Sequence, residues 1–141
     1  MGLELVLYPA LAMVFLTFMV GFVLVGLRIR AVRSGEVNPR YFLLNRGAKL
    51  PEHLVRLEQH FSNLFELPLL FYFLVLTLYV TGHVDKLMLG LLWLFVASRI
   101  VHTVIHTTAN RLVWRMRSYL LGGILLLLGW VLLSVKLMGG D

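Results

Sequence analysis

The sequence predicts an all-α membrane protein, an antiparallel bundle of four transmembrane helices, and three observations carry that expectation. Of the 141 residues, 60% are hydrophobic and only 14% charged, well under the roughly one quarter charged that soluble domains carry. The apolar residues fall in four runs, at about 3–27, 55–81, 86–108 and 112–137, each long enough to supply the ~20 helical residues that cross a bilayer core. The basic residues crowd into the gaps beside those runs, the pattern by which membrane helices are oriented.

The first run lacks a basic start, carries Glu4, and is followed by Arg28, Arg30 and Arg33. It reads as an anchored helix rather than a removable secretory signal. The basic segment 28–54 that follows holds those arginines with Arg40, Arg46 and Lys49. Gly35, Asn38, Pro39 and Pro51 mark turns in it, and Tyr41, Phe42, Leu43 and Leu44 give it an apolar patch, so it is expected to be an ordered excursion lying on the membrane surface. The connections 81–85 and 108–111 are short, which makes the second, third and fourth helices antiparallel neighbours.

Arg111, Arg115 and Arg117 cluster at the third connection, whereas the opposite side offers only Lys86 and Lys136. The positive-inside rule then places both termini outside and the basic loops in the cytoplasm. A net charge of +6, from 13 Lys and Arg against 7 Asp and Glu, therefore reports topology, and no nucleic-acid partner is expected. The chain has no cysteine, which excludes disulfides, thiolate metal ligands and a cysteine nucleophile; any thiol chemistry must use a thiol brought by a substrate.

The second helix carries Asn63 and Glu66 at a spacing of three, on one face and on the order of 12 to 16 Å inside its basic end. A carboxylate at that depth is costly unless it faces protein or water and has a partner. The third helix supplies candidates, Arg99 with His102 and His106 at i+3 and i+7, and Glu66 with Arg99 is the expected pair. Without any ligand, these same groups would serve as polar contacts between helices, and His106, near the helix end, would reach for the interface. A metal site is not expected, because His102 and His106 lack the glutamate of a zincin motif.

In the fourth helix Arg115 and Tyr119 share a face at i+4 while Arg117 points elsewhere, so one of the two arginines can face inward. Arginines there would otherwise meet lipid phosphate, and Tyr119 would be an interfacial anchor. Gly122, Gly123 and Gly129 among leucines read as packing surface. Several guanidiniums, one deep carboxylate, an amide and a phenol suit a small polyanion that also carries an ammonium group. A cation beside a phenol also suits a thiol held as its thiolate. Glutathione has all these parts.

Arg56 with Asn63-Leu-Phe-Glu66, Arg99-Ile-Val-His-Thr-Val, and Arg115-x-x-x-Tyr119 at ungapped spacing resemble the family of membrane-associated proteins in eicosanoid and glutathione metabolism (MAPEG), in a bacterial-type member. The resemblance covers nearly the whole chain. It implies a homotrimer with glutathione as cosubstrate, bound between neighbouring subunits near the cytoplasmic face. Asn63, Glu66, Arg99 and His102 would correspond to binding positions, as would His106, which stands where some members have a tyrosine. Arg40, at the end of the first helix, would contact a carboxylate. Arg115 and Tyr119 would serve the thiol end, Arg115 as the thiolate stabiliser.

The activity that follows is that of a glutathione-dependent transferase or peroxidase acting on lipophilic electrophiles in the membrane. A non-catalytic binder of lipid or small molecules on the same fold is the alternative. A proton-coupled exporter built on Glu66 is a third reading, disfavoured by a permanent cation beside the carboxylate.

Overall fold

A computed structural model describes residues 2–44, 49–108 and 111–139. Arg46, and two residues of the connection expected at 108–111, lie outside the described residues. Among the described residues four helical segments are long and apolar enough to span a membrane: Leu3–Arg33, Glu52–Thr81, Lys86–Thr107 and Leu112–Gly139. No strand occurs among the described residues.

After a 3-10 turn at Leu3–Val6, α1 runs Leu7–Arg33, beyond the apolar limit expected at 27. Charge ends the hydrocarbon-compatible stretch but not the helix, since arginine is a good helix former whose long stem lets the charged head leave the apolar layer. Gly35, at φ +76°, then turns the chain in the left-handed region that glycine enters without penalty. Among its described residues the basic segment carries local structure. It contains a helical turn, α2, Tyr41–Leu44, and a small core of Ala31, Val37, Leu50 and Leu54, against which Tyr41 and Phe42 pack. The Arg28 guanidinium lies over the Phe42 ring at 5.3 Å and pairs with Glu58 at 2.6 Å.

The second span is two helices, α3 Glu52–Asn63 and α4 Leu67–Thr81, where one continuous helix was expected. Pro68 sits in the first turn of α4; it has no N–H to return to the carbonyl of Leu64, and its ring collides with that carbonyl. The chain answers with tight turns, Leu64 N–H to Phe61 O at 3.1 Å, Phe65 N–H to Ser62 O at 3.0 Å, and Glu66 N–H to Asn63 O at 3.3 Å. α4 ends at Gly82, and Asp85 starts α5, Lys86–Thr107, by accepting the Met88 N–H at 2.8 Å. α6, Leu112–Gly139, returns along α5, the most extensive helix pairing in the molecule.

Helical periodicity sets the core. α1 buries Met13, Leu16, Val20 and Leu24, α4 buries Phe71, Leu74, Val75 and Leu78, and α6 buries Ser118, Gly122, Leu126, Gly129 and Leu133, each at spacings of three and four. The Phe71 and Phe95 rings stack at 4.6 Å, and Gly129 admits Leu74, whose Cδ2 lies 2.7 Å from where a Cβ would stand. α5 is the most buried span. Its inner face is apolar through Met88, Leu92, Phe95 and Val96, then turns polar as Ser98, Arg99, His102, Thr103 and His106, all buried. That switch on one helical face places the polar interior at the basic end of the bundle.

Candidate functional site

Arg99 is 2% exposed, a cost that only a well-satisfied charge sustains. Its Nη2 donates to the carbonyls of Ser118 at 2.7 Å and Tyr119 at 3.2 Å, and the guanidinium lies 5.4 Å from the ring centres of both Phe95 and Tyr119. Gly122 makes this possible, because a Cβ there would stand 2.6 Å from Cζ of Arg99. The expected ion pair between Glu66 and Arg99 is therefore not formed: the arginine is drawn to the backbone of α6. Glu66, turned outward in the break between α3 and α4, instead accepts the Tyr119 hydroxyl at 2.8 Å.

His102 and Ser118 join α5 to α6 through Nδ1 and Oγ at 2.9 Å. The Ser118 hydroxyl donates its one proton to Arg115 O at 3.0 Å, so the imidazole is the donor, and its Nδ1 carries the hydrogen. His106 lies one turn on, 1% exposed. Arg115 is half-buried and close enough to both histidines to act on them electrostatically, whereas Arg117 is exposed and lies over the Trp114 ring at 5.4 Å. The inward arginine of the fourth span is thus Arg115.

Asn63 is the last residue of α3 and only partly buried, at the lip of the break. Arg40 is not at the end of the first helix. It lies beyond Arg33 in the loop, exposed, with its backbone N–H held by Asn38 Oδ1 at 2.9 Å, and it joins none of the hydrogen bonds that tie Glu66, Arg99, His102 and Tyr119 together.

His60 is the residue that sequence reasoning passed over. It is fully buried in α3 and its Nε2 lies 3.0 Å from Thr103 Oγ1. The signal was present: Arg56, His60 and Asn63 stand at i, i+4 and i+7, a polar stripe on an otherwise amphipathic helix. No group of three or more His, Asp and Glu side chains among the described residues is arranged to hold a metal ion.

Beside these polar groups lies an apolar cavity of about 560 Å³ between α1 and the α3–α4 break, lined by Phe18, Gly21, Phe22, Phe61, Phe65 and Leu69 among others.

Four long apolar helices around a buried ionic and imidazole cluster define an integral, multi-pass membrane protein. The chain belongs to the MAPEG family, whose model matches residues 6–135. No curated protein and no solved structure matches it.

Proposed function

We propose that this protein is a glutathione-dependent transferase or peroxidase acting on lipophilic electrophiles, and that it works as a homotrimer with glutathione between neighbouring subunits near the cytoplasmic face. The observation that carries the reading is the bond between Tyr119 and Glu66 on the side of the bundle where Arg115 faces inward. A carboxylate able to take an ammonium group, a phenol and a guanidinium able to hold a thiolate then share one end of a membrane bundle.

Self-association is supported by exposure. Ser62 and Glu66 are exposed and Asn63 is partly exposed at a helix break inside a membrane span. Lipid leaves broken backbone and a carboxylate unsatisfied, so a protein surface should cover them, and a second copy supplies one. In this reading Asn63 and Glu66 bind glutathione, Arg40 reaches a carboxylate from the loop, and Arg115 stabilises the thiolate with Tyr119 beside it, while His102 and His106, at most 2% exposed, act from behind the site and not on glutathione directly. Arg99 acts through α6, whose carbonyls it holds. Both termini lie outside and the basic loops face the cytoplasm, in accord with the charge bias.

The apolar cavity between α1 and the break favours a second reading, a non-catalytic binder of lipid or small molecules. Absorbance at about 240 nm, where a thiolate absorbs and a thiol scarcely does, separates the two on adding glutathione to the detergent-solubilised protein. A saturable rise that Arg115→Ala abolishes is expected of the enzyme. Glutathione that neither raises absorbance nor binds by calorimetry would remove the enzyme reading and leave the binder.

A further inference from the structure

Three imidazoles meet in the interior between α3 and α5. The ring of His60 is centred 5.0 Å from His106 and 5.6 Å from His102, and the latter two lie 5.7 Å apart. None is more than 2% exposed. Each has one buried ring nitrogen with no hydrogen-bond partner: Nδ1 of His60, Nε2 of His102 and Nδ1 of His106. A buried polar atom without a partner is rare enough in folded proteins to require a reason.

Two hydroxyls decide where the protons sit. Thr103 donates its proton to Arg99 O at 2.8 Å, so at its other side it accepts from Nε2–H of His60. Ser118 donates to Arg115 O and accepts from Nδ1–H of His102. Nδ1 of His60 and Nε2 of His102 are consequently bare lone pairs, held as such by neighbours that have no second proton to offer. This is how a histidine is kept ready to receive a proton at one chosen nitrogen.

The charged groups around the cluster are Arg56 from α3, which pairs with Glu52 at 2.9 Å, Arg99 from α5 and Arg115 from α6, with the Glu66 carboxylate reached through Tyr119. The Tyr119 phenol stands 5.8 Å from the His102 ring, centre to centre. α1 borders the region with Val20, Val23 and Leu27, across a cavity shared with Arg56 and Thr103. A proton added beside these guanidiniums is stabilised when an anion arrives to offset it.

We infer that His60, His102 and His106 form a proton-storing cluster, which takes the proton released when a thiol ligand ionises beside Arg115 and Tyr119 and gives it back later in the reaction. The inference rests on the glutathione reading. The S–H bond breaks with its electron pair left on sulfur, and an N–H bond forms at a bare imidazole nitrogen. When the thiolate adds to an electrophile, the electron pair displaced onto oxygen or carbon takes that proton, and the cluster returns to neutral. His102, which touches Tyr119, is the entry point, and His60 is the member that carries the charge farther from the thiolate site.

The test counts protons. Wild-type protein is mixed with glutathione in weakly buffered detergent solution with a pH indicator, and thiolate absorbance is followed in the same sample. Thiolate formation with little proton release is expected in the wild type, rising to nearly one proton per thiolate in His60→Gln with His102→Gln, since glutamine keeps a donor for each hydroxyl but offers no basic nitrogen. One proton released per thiolate in the wild type overturns the cluster's role and leaves the glutathione reading standing, a result that does not depend on whether any variant folds. Retention unchanged in the double variant also overturns it. No thiolate in the wild type removes both.

Discussion

The Tyr119 hydroxyl donates to Glu66 Oε2 at 2.8 Å, while Arg99 holds the carbonyl of the same tyrosine at 3.2 Å and stacks under its ring. Tyr119 is thus gripped from both sides, by the start of α4 and by the middle of α5. The carboxylate that was expected to neutralise the arginine is joined to it only through the phenol.

That arrangement ranks two substitutions. Tyr119→Phe removes the donor and should lower stability by about 1 kcal/mol, the middle of the ~0.5–1.5 kcal/mol range for a hydrogen bond, because Glu66 is exposed. Glu66→Gln keeps an acceptor oxygen and should cost less. Thermal unfolding followed by circular dichroism in detergent measures both, and a neutral Tyr119→Phe would show that the contact contributes nothing.

Gly122→Ala should destabilise by roughly 1–3 kcal/mol, the usual cost of forcing atoms into a filled interior, because its Cβ would collide with the Arg99 guanidinium. Gly90→Ala, with nothing within 4 Å of its Cβ, should be neutral or gain up to about 1 kcal/mol from reduced backbone freedom. In an Arg99→Ala background the penalty at 122 should largely vanish, a non-additivity expected only of residues in contact. Additive effects would sink the assignment.

Pro68→Ala restores an N–H that can donate to Leu64 O and lets α3 run into α4. Helix content should hold or rise, while Glu66 turns away from Tyr119 and glutathione affinity falls about tenfold, equivalent to ~1.4 kcal/mol. Unchanged affinity in calorimetry would mean that the break does not shape the site.

At the far end of the bundle, the hydrogen bond from Lys136, with a second from the Met88 N–H, holds the Asp85 carboxyl below the usual carboxylate range. Because the folded-state value is the lower one, the contribution is fully present above the unfolded value of about 4 and fades as pH falls through the folded value. Exposure limits the ion pair to less than ~1 kcal/mol. Asp85→Asn should keep the cap on α5 yet flatten the loss of stability below about pH 4, whereas Asp85→Ala should cost a further ~1 kcal/mol for the lost cap. Unfolding midpoints compared across acid pH read out each effect.

Much of this molecule is legible along the chain. The four spans, their antiparallel order and the polar stripe of Arg99, His102 and His106 all follow from length, charge and a period of 3.6, which are properties of one helix at a time. Pro68 and the stripe of Arg56, His60 and Asn63 were equally local signals, and a closer reading of them would have foreseen the break and the third histidine.

What lay beyond such reading is who meets whom. Arg99 chose the carbonyls of α6 over Glu66, Arg115 rather than Arg117 turned inward, and Arg40 stayed out in the loop, away from those contacts. Each outcome depends on the rotation and offset of one helix against another, decided by where a glycine leaves room and where a backbone carbonyl is free. The amino-acid order specifies faces; only packing in three dimensions pairs them, because hydrogen bonds in a dry interior are settled within a few tenths of an ångström and not by spacing along the chain.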